Sequence, residues 1–374
     1  MKNMKNSTAL ALNRMFKSIA DSAIKVFMPL LIYKNNGSIF YAFMYLFIAY
    51  LVNGLMYTFF KNFLKKHSAL AVSIHSIFII AIEFLLLTKI NFAIVIAIGV
   101  LEGIQTAFYY SIKYLYGFMD KSNNVAKFEI GQYLGKIIFV ILSALFLDYL
   151  KGSLVFIVIF SSIFYALSSI SILVKIKDIK IIQVDTIVDL KQIQKENKYW
   201  NLFHVFNGII HLFMNNILPL YLYIYNLSFT KVSIVLVLQY LLNILANYLS
   251  RLLNQKGHGI VNIIIGSIFG FISMILIIAI KNPVVIYIMS VVSSFAFTML
   301  FSYMFGQYVA DQKQKGCFGD SIFYRDAWQT LSRSIVCSIF MFTPSFMIVF
   351  VIGIFSNIMC GPTAYLATKK HIQS

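Results

Sequence analysis

The sequence predicts an all-α polytopic membrane protein with twelve transmembrane helices in two six-helix pseudo-repeats. Three observations carry that prediction. Of the 374 residues, 60% are hydrophobic and only 12% are charged, about half the roughly 25% of a soluble domain, which must still cover its exterior with polar groups. The apolar residues fall in unbroken runs, such as 154–174 and 261–280, each close to the ~20 residues a spanning helix needs. Barrel strands would instead alternate in polarity over ~10-residue segments, and in lipid only helices and closed barrels satisfy every backbone group. Finally, the basic residues segregate to one side of the segments that these runs define.

Taken in order, the segments are 9–32, 39–60, 68–87, 92–116, 128–147, 154–174, 201–225, 232–252, 261–280, 284–308, 321–342 and 345–366. The first is the least hydrophobic, because Lys17, Asp21 and Lys25 interrupt it; for the same reason it is not expected to be a cleavable leader. With the N-terminus inside, the cytoplasmic segments hold 23 basic residues, while the external loops hold five: Lys34, Lys89, Lys151, Lys231 and Lys281. The positive-inside rule reads such asymmetry as orientation. Both termini are then cytoplasmic, and the net charge of +18 is mostly a face that meets anionic lipid, with no nucleic-acid partner implied. Between the sixth and seventh segments lies the one long polar stretch, 175–200. Its periodic patch, Ile181, Ile182, Val184, Ile187, Val188, Leu190 and Ile193, predicts a short amphipathic helix on the membrane surface. The domains expected are therefore 1–174, a cytoplasmic linker at 175–200, and 201–374.

Two halves joined by a linker predict an internal repeat, and one is visible. Glu129, Gln132, Leu134 and Lys136 open the fifth segment; Asp326, Gln329, Leu331 and Arg333 open the eleventh, every pair separated by 197 positions (326 against 129). The basic run from Lys61 to Lys66 after the second segment corresponds loosely to Arg251 and Lys256 after the eighth. Pro29 and Pro219 lie near the external ends of the first and seventh segments. Parallel repeats of this kind build transporter sites at the interface of two halves.

With these features the chain resembles the major facilitator superfamily over essentially its whole length. Its acid-x6-base elements, Glu129 to Lys136 and Asp326 to Arg333, fall where the sugar-porter branch carries E-x6-R. The family's glycine- and arginine-rich loop after the second helix is degenerate here: Lys61 stands at the aspartate position and Leu64 at the second glycine, with only Lys65 and Lys66 retained. The resemblance implies that the first, fourth, seventh and tenth helices line a central cavity. It also implies a cytoplasmic gate in which Glu129 and Asp326 pair with Lys136, Arg333, Lys65, Lys66 or Arg251.

Ionisable groups inside a membrane default to function or pairing, and they concentrate in few segments. The first carries Lys17, Asp21 and Lys25 four residues apart, a spacing that permits direct pairing. The fourth carries Glu102, Gln105, Tyr109 and Lys113 on one face. The seventh carries a stripe of Asn201, His204, Asn207, His211 and Asn215. Asp21, Lys25, Glu102, Gln105, Tyr109, His204, Asn207, His211 and Asn215 are thus the candidate substrate or proton cavity, histidine being the side chain that titrates nearest neutrality. A structural reading stands beside this one: a buried ion pair, interhelical amide bonds and satisfied core histidines. Gln239, Asn243 and Asn247 in the eighth segment and Ser290, Ser293, Ser294, Thr298 and Ser302 in the tenth suit helix packing as well as a cavity. The resemblance also implies that the third, sixth, ninth and twelfth helices are outer supports, a role that His75 and Glu83 in the third segment do not fit cleanly.

Several classes are disfavoured. The sequence lacks HExxH and GxSxG, so no enzyme is expected. Cys317, Cys337 and Cys360 have no CxxC spacing, and His204 with His211 lacks further ligands, so neither a metal site nor a cofactor is expected. No ring of like charge suggests a channel. The expectation is a secondary active transporter, a monomer in a bacterial cytoplasmic membrane, moving a small molecule by alternating access, with protons as a candidate coupling ion. The alternative is a non-transporting receptor or assembly protein that keeps the fold.

Overall fold

A computed structural model describes residues 6–118, 123–150, 153–173, 197–225, 228–280, 282–316 and 318–372. The predicted surface helix within 175–200 lies outside them, apart from Asn197 onward.

The chain forms two compact units, one of Met1–Gln183 with Tyr223–Val237 and the other of Val184–Leu222 with Leu238–Ser374. In the first unit α1 (Asn6–Ala23) gives way to a 3₁₀ turn (Lys25–Phe27) and α2 (Met28–Asn36). The helices α3 (Ile39–Phe59), α4 (Lys61–Lys66), α5 (Ser68–Leu86), α6 (Phe92–Phe118), α7 (Asn123–Tyr149) and α8 (Ser153–Leu173) follow. Next come α9 (Lys198–Leu212), a π-helical turn (Phe213–Ile217) and α10 (Leu218–Ile224), which belong to the second unit up to Leu222. The helix α11 (Phe229–Gln255) belongs to the first unit up to Val237 and to the second beyond it, and α12 (Gly259–Ala279), α13 (Pro283–Gln314), α14 (Phe318–Phe342) and α15 (Phe346–Ile372) complete the second unit.

Every segment expected from the sequence falls on helix. Among the described residues, eight helices are both long and apolar enough to cross a membrane. Three of the other four segments have identifiable reasons for falling short. The first segment is broken at Ile24, the apolar part of α5 is the short stretch Leu70–Leu86, and α14 carries Asp320, Arg325, Asp326 and Arg333.

Both broken helices carry a proline just past the irregular turn. A proline has no N–H and its ring clashes with the carbonyl four residues back. For Pro29 that is Lys25, the first residue of the 3₁₀ turn; for Pro219 it is Asn215, the middle of the π turn. The helix relieves the clash by tightening in one case and widening in the other.

Outward faces are apolar at helical spacing. Phe156, Ile159, Ile163, Leu167 and Ile170 line one exposed stripe of α8, and Ile260, Ile264, Ile268, Ile272 and Ile275 one of α12. Contiguous apolar surface of this extent would be untenable in water, and lipid is its natural solvent. Inside each unit the same helix pairings occur. In the first, α1 packs on α7 and α8, and α5 on α6 and α8; in the second, α9 packs on α14 and α15, and α12 on α13 and α15. In the first unit α3 also packs on α6, where a small residue permits the close approach. A Cβ on Gly103 of α6 would meet the Ala49 carbonyl oxygen and Val52 Cβ of α3, both at 2.7 Å.

The helices α11 and α13 are joined differently, by side-chain amides. Gln239 Nε2 donates to the Ser290 carbonyl (3.3 Å), Ser294 and Thr298 hydroxyls reach the Asn243 amide (3.0 and 2.9 Å), and Ser302 bonds Asn247. The hydroxyl-rich face of the tenth segment thus serves helix packing. The N-terminal end of α11 is held within the first unit: Asp148 of α7 accepts from the Phe229 and Thr230 amides (3.2 and 2.8 Å) and from the Thr230 hydroxyl (2.7 Å). A carboxylate there satisfies N–H groups that a helix start leaves open.

Candidate functional site

The first unit gathers its charges at the break in its first helix. Asp21, in the last turn of α1, receives Lys17 Nζ at 2.5 Å and the Tyr165 hydroxyl of α8 at 2.8 Å. Lys25 lies past Ile24, in the 3₁₀ turn, and meets Glu102 of α6 at 2.7 Å. The sequence spacing placed Lys25 within reach of Asp21; the irregular turn gives it to α6. Thr106 donates to Glu102 (3.0 Å) and accepts from Gln105 Nε2 (2.9 Å). Tyr109 lies beneath the Lys17 ammonium, 4.2 Å from ring centroid to nitrogen, a cation–π contact. The His75 ring of α5 sits 5.0 Å from that of Tyr109 and 6.4 Å from that of Tyr165. Five of the residues singled out from sequence, Asp21, Lys25, Glu102, Gln105 and Tyr109, therefore share one buried cluster. Each carboxylate in it faces an ammonium, which is what permits burial of either charge.

The cluster is not saturated. Glu102 Oε2, Gln105 Oε1 and His75 Nε2 are buried without a partner. Unpaired buried polar atoms are uncommon and call for a cause, and a site that must rearrange around a solute is one.

The second unit holds a separate polar patch between α9 and α14. Asp326 is paired with Arg325 (2.5 Å), whose guanidinium also lies 4.8 Å from the Phe305 ring centroid. Arg325 is 2% exposed, so a residue that reads in the sequence as one more cytoplasmic charge is a core residue. Arg333 Nε donates to the Gly208 carbonyl of α9 (3.1 Å). His204 lies against Trp200, Phe203 and Tyr308, its centroid 4.7 Å from that of Tyr308. Both nitrogens of His204, both polar atoms of Asn207, Gln329 Nε2 and Arg325 Nη1 are buried and unpartnered.

The stripe expected along the seventh segment does not share one environment. His204 and Asn207 are interior, whereas His211 stands edge-on to Phe297 and Phe301 (4.7 and 5.1 Å) and bonds Asn215 Nδ2 at 3.2 Å. Asn215 itself is exposed and sits in the π turn, whose wider winding shifts the register of everything beyond it.

The remaining gate candidates lie on α4, α7 and α11. Lys65 and Lys66 end the short α4, Lys65 half-buried and Lys66 exposed, and Arg251 is exposed near the end of α11. Lys136 is half-buried on α7, its Nζ 5.9 Å from the Tyr133 ring centroid, and the Glu129 side chain lies outside the described residues. Sequence reading missed a further knot at the ends of α9, α13 and α14. Asp311 holds Lys315 (3.0 Å) and accepts from Gln312 (2.7 Å), and Gln312 in turn exchanges bonds with Asn197 and accepts from Ser321. The i, i+4 spacing of Asp311 and Lys315 was the available signal. Among the described residues no group of three or more His, Cys, Asp or Glu could hold a metal ion.

No protein-family model matches the chain, and no curated protein does. Solved structures match in fold. A bacterial homologue of the iron transporter ferroportin in an outward-facing state has a TM-score of 0.72 at 11% identity, over 98% of this chain and 100% of that one. In an inward-facing state, such a homologue scores 0.71 at 11% identity, over 96% and 98%. A bacterial metal transporter scores 0.67 at 12% identity, over 98% and 99%. At these identities the likeness is one of fold, and the fold is that of solved transporters.

Proposed function

We propose that this chain is a secondary active transporter of the major facilitator type, carrying a small polar solute across a bacterial cytoplasmic membrane by alternating access. Both termini are cytoplasmic, and protons are the coupling ion. The observation that carries this reading is the match, along nearly the whole chain, to structures solved in both outward- and inward-facing states. A fold with two such arrangements needs only a few kcal/mol of differential ligand affinity to be driven between them. The cluster around Asp21 and Glu102 supplies the polar lining such a cycle requires, since charge buried at membrane depth is rarely kept without a task.

The solute we propose is not a divalent metal ion, although the matched structures are of metal transporters. Asp21 and Glu102 are each occupied by a lysine ammonium, which repels a second cation. Oxygen-binding metals need several free carboxylate or carbonyl ligands, and softer metals need His or Cys in number.

The test is uptake into proteoliposomes. A panel of solutes is first screened for thermal stabilisation of the purified protein, because a ligand of the folded state raises the melting temperature by mass action. The stabilising solute is expected to accumulate faster under an imposed pH gradient. Stabilisation without uptake under any gradient would replace the transporter with a receptor of the same fold; stabilisation by Fe²⁺ or Mn²⁺ alone would overturn the choice of solute.

A further inference from the structure

The helix α5, the third of the apolar segments, contains a carboxyl that the cluster above does not use. Glu83 of α5 is fully buried. Of the buried carboxylates among the described residues, Glu83, Glu102, Asp311 and Asp326, the last three are paired with Lys25, Lys315 and Arg325. The hydrogen-bond partners of Glu83 among the described residues are hydroxyls: Oε1 lies 2.6 Å from Ser161 Oγ, and Oε2 lies 2.9 Å from Ser162 Oγ, both on α8.

Counting hydrogens distinguishes the two states of this carboxyl. Ser161 has one hydroxyl hydrogen and three oxygens within bonding distance: Glu83 Oε1, the Ile157 carbonyl at 2.8 Å and the Val158 carbonyl at 3.1 Å. A backbone carbonyl donates nothing. If Glu83 were ionised, Ser161 would have to turn its hydrogen from its own backbone carbonyls to Oε1, and an anion held by two hydroxyls but without a countercharge would remain at the α5–α8 contact. If Glu83 carries a proton, Oε1–H donates to Ser161, Ser161 donates to the Ile157 carbonyl, and Ser162 donates to Oε2. Each partner then has its hydrogen. Among the described residues no cation is paired with Glu83 to offset the anionic alternative. Tyr109 of α6 and Tyr165 of α8 lie against His75, two turns back on α5 itself, with Asp21 beyond Tyr165; the lysines of α4 stand at the opposite end of α5. Lys17 and Lys25 are held by Asp21 and Glu102.

We propose that Glu83 is a proton-binding site, a carboxyl that holds its proton against Ser161 and Ser162 and releases it during the transport cycle. Its place in the cycle rests on the transport reading above; its protonation does not. The route of exchange is the face of α8: Tyr165 lies one turn beyond Ser161 and donates to Asp21, which links the carboxyl to the charged cluster at the helix break.

The experiment is infrared difference spectroscopy of the full protein in liposomes across a pH titration, with folding followed by circular dichroism. The wild type is expected to show a protonated-carboxyl C=O band near neutral pH that Glu83→Gln abolishes. The band should disappear reversibly at higher pH while the protein stays folded. Glu83→Gln is expected to melt like the wild type, because the amide mimics the protonated acid. Ser162→Ala, which keeps the carboxyl but removes one donor, should move the band to higher frequency, and reads the site even if the glutamine variant does not fold. A band absent near neutral pH, or unchanged by both variants, would overturn the assignment. Persistence up to the unfolding pH would overturn the exchange of the proton. None of these outcomes depends on uptake, so a failure of the transport proposal is separately visible.

Discussion

Lys25 and Glu102 show how one residue's position depends on a backbone event elsewhere. Had α1 continued regularly, Lys25 would stand one turn from Asp21; instead the 3₁₀ turn carries it to α6. Removing one member of a buried ion pair costs about 3–5 kcal/mol, because the remaining charge is left uncompensated. Glu102→Ala is therefore expected to lower the melting temperature in detergent strongly, and Lys25→Met in the same chain to recover most of the loss. Additive losses in the double variant would mean the pair is not coupled. Arg325 follows the same logic in the second unit. Its guanidinium is spent on Asp326 and the face of Phe305, so Arg325→Lys, which loses the planar fork, should destabilise measurably despite keeping the charge.

At the scale of the element, the two proline-linked turns are the irregularities the chain tolerates in otherwise continuous helices. Replacing Pro219 with alanine would return the N–H and relieve the clash at Asn215, favouring a straight α9–α10 by up to about 3 kcal/mol. The expected outcome is wild-type surface expression with slower transport, measured as initial uptake rate. Close packing makes an opposite prediction at Gly103, where Ala49 and Val52 of α3 leave no space for a side chain. Gly103→Leu should cost about 1–3 kcal/mol through overpacking and reduce the yield of folded protein.

At the scale of the molecule, orientation is the prediction most readily checked. A cysteine at exposed Lys34 should react with an impermeant maleimide added to intact cells, and one at exposed Lys256 only after permeabilisation. Much of this architecture was legible in the sequence, because a spanning helix is announced by hydropathy alone, and α8 and α12 left no ambiguity. The Lys17–Asp21 contact was legible from i, i+4 spacing. What could not be read were pairings set by long-range packing. Tyr165 reaches Asp21 across 144 residues, and Ser161 reaches Glu83 across 78; serine and tyrosine are too common to signal either. The division of the seventh segment was hidden too, since a π turn changes helical phase without a marker beyond Pro219.

The amide ladder between α11 and α13 has a mechanical corollary. Gln239, Asn243 and Asn247 recur every four residues, and so do Ser290, Ser294, Thr298 and Ser302. A slide of one helix along the other by four residues, about 6 Å, would return most rungs to an equivalent neighbour, whereas a smaller slide would leave them facing methylene groups. The pair is thus built like a detent, with discrete rest positions and a barrier between them.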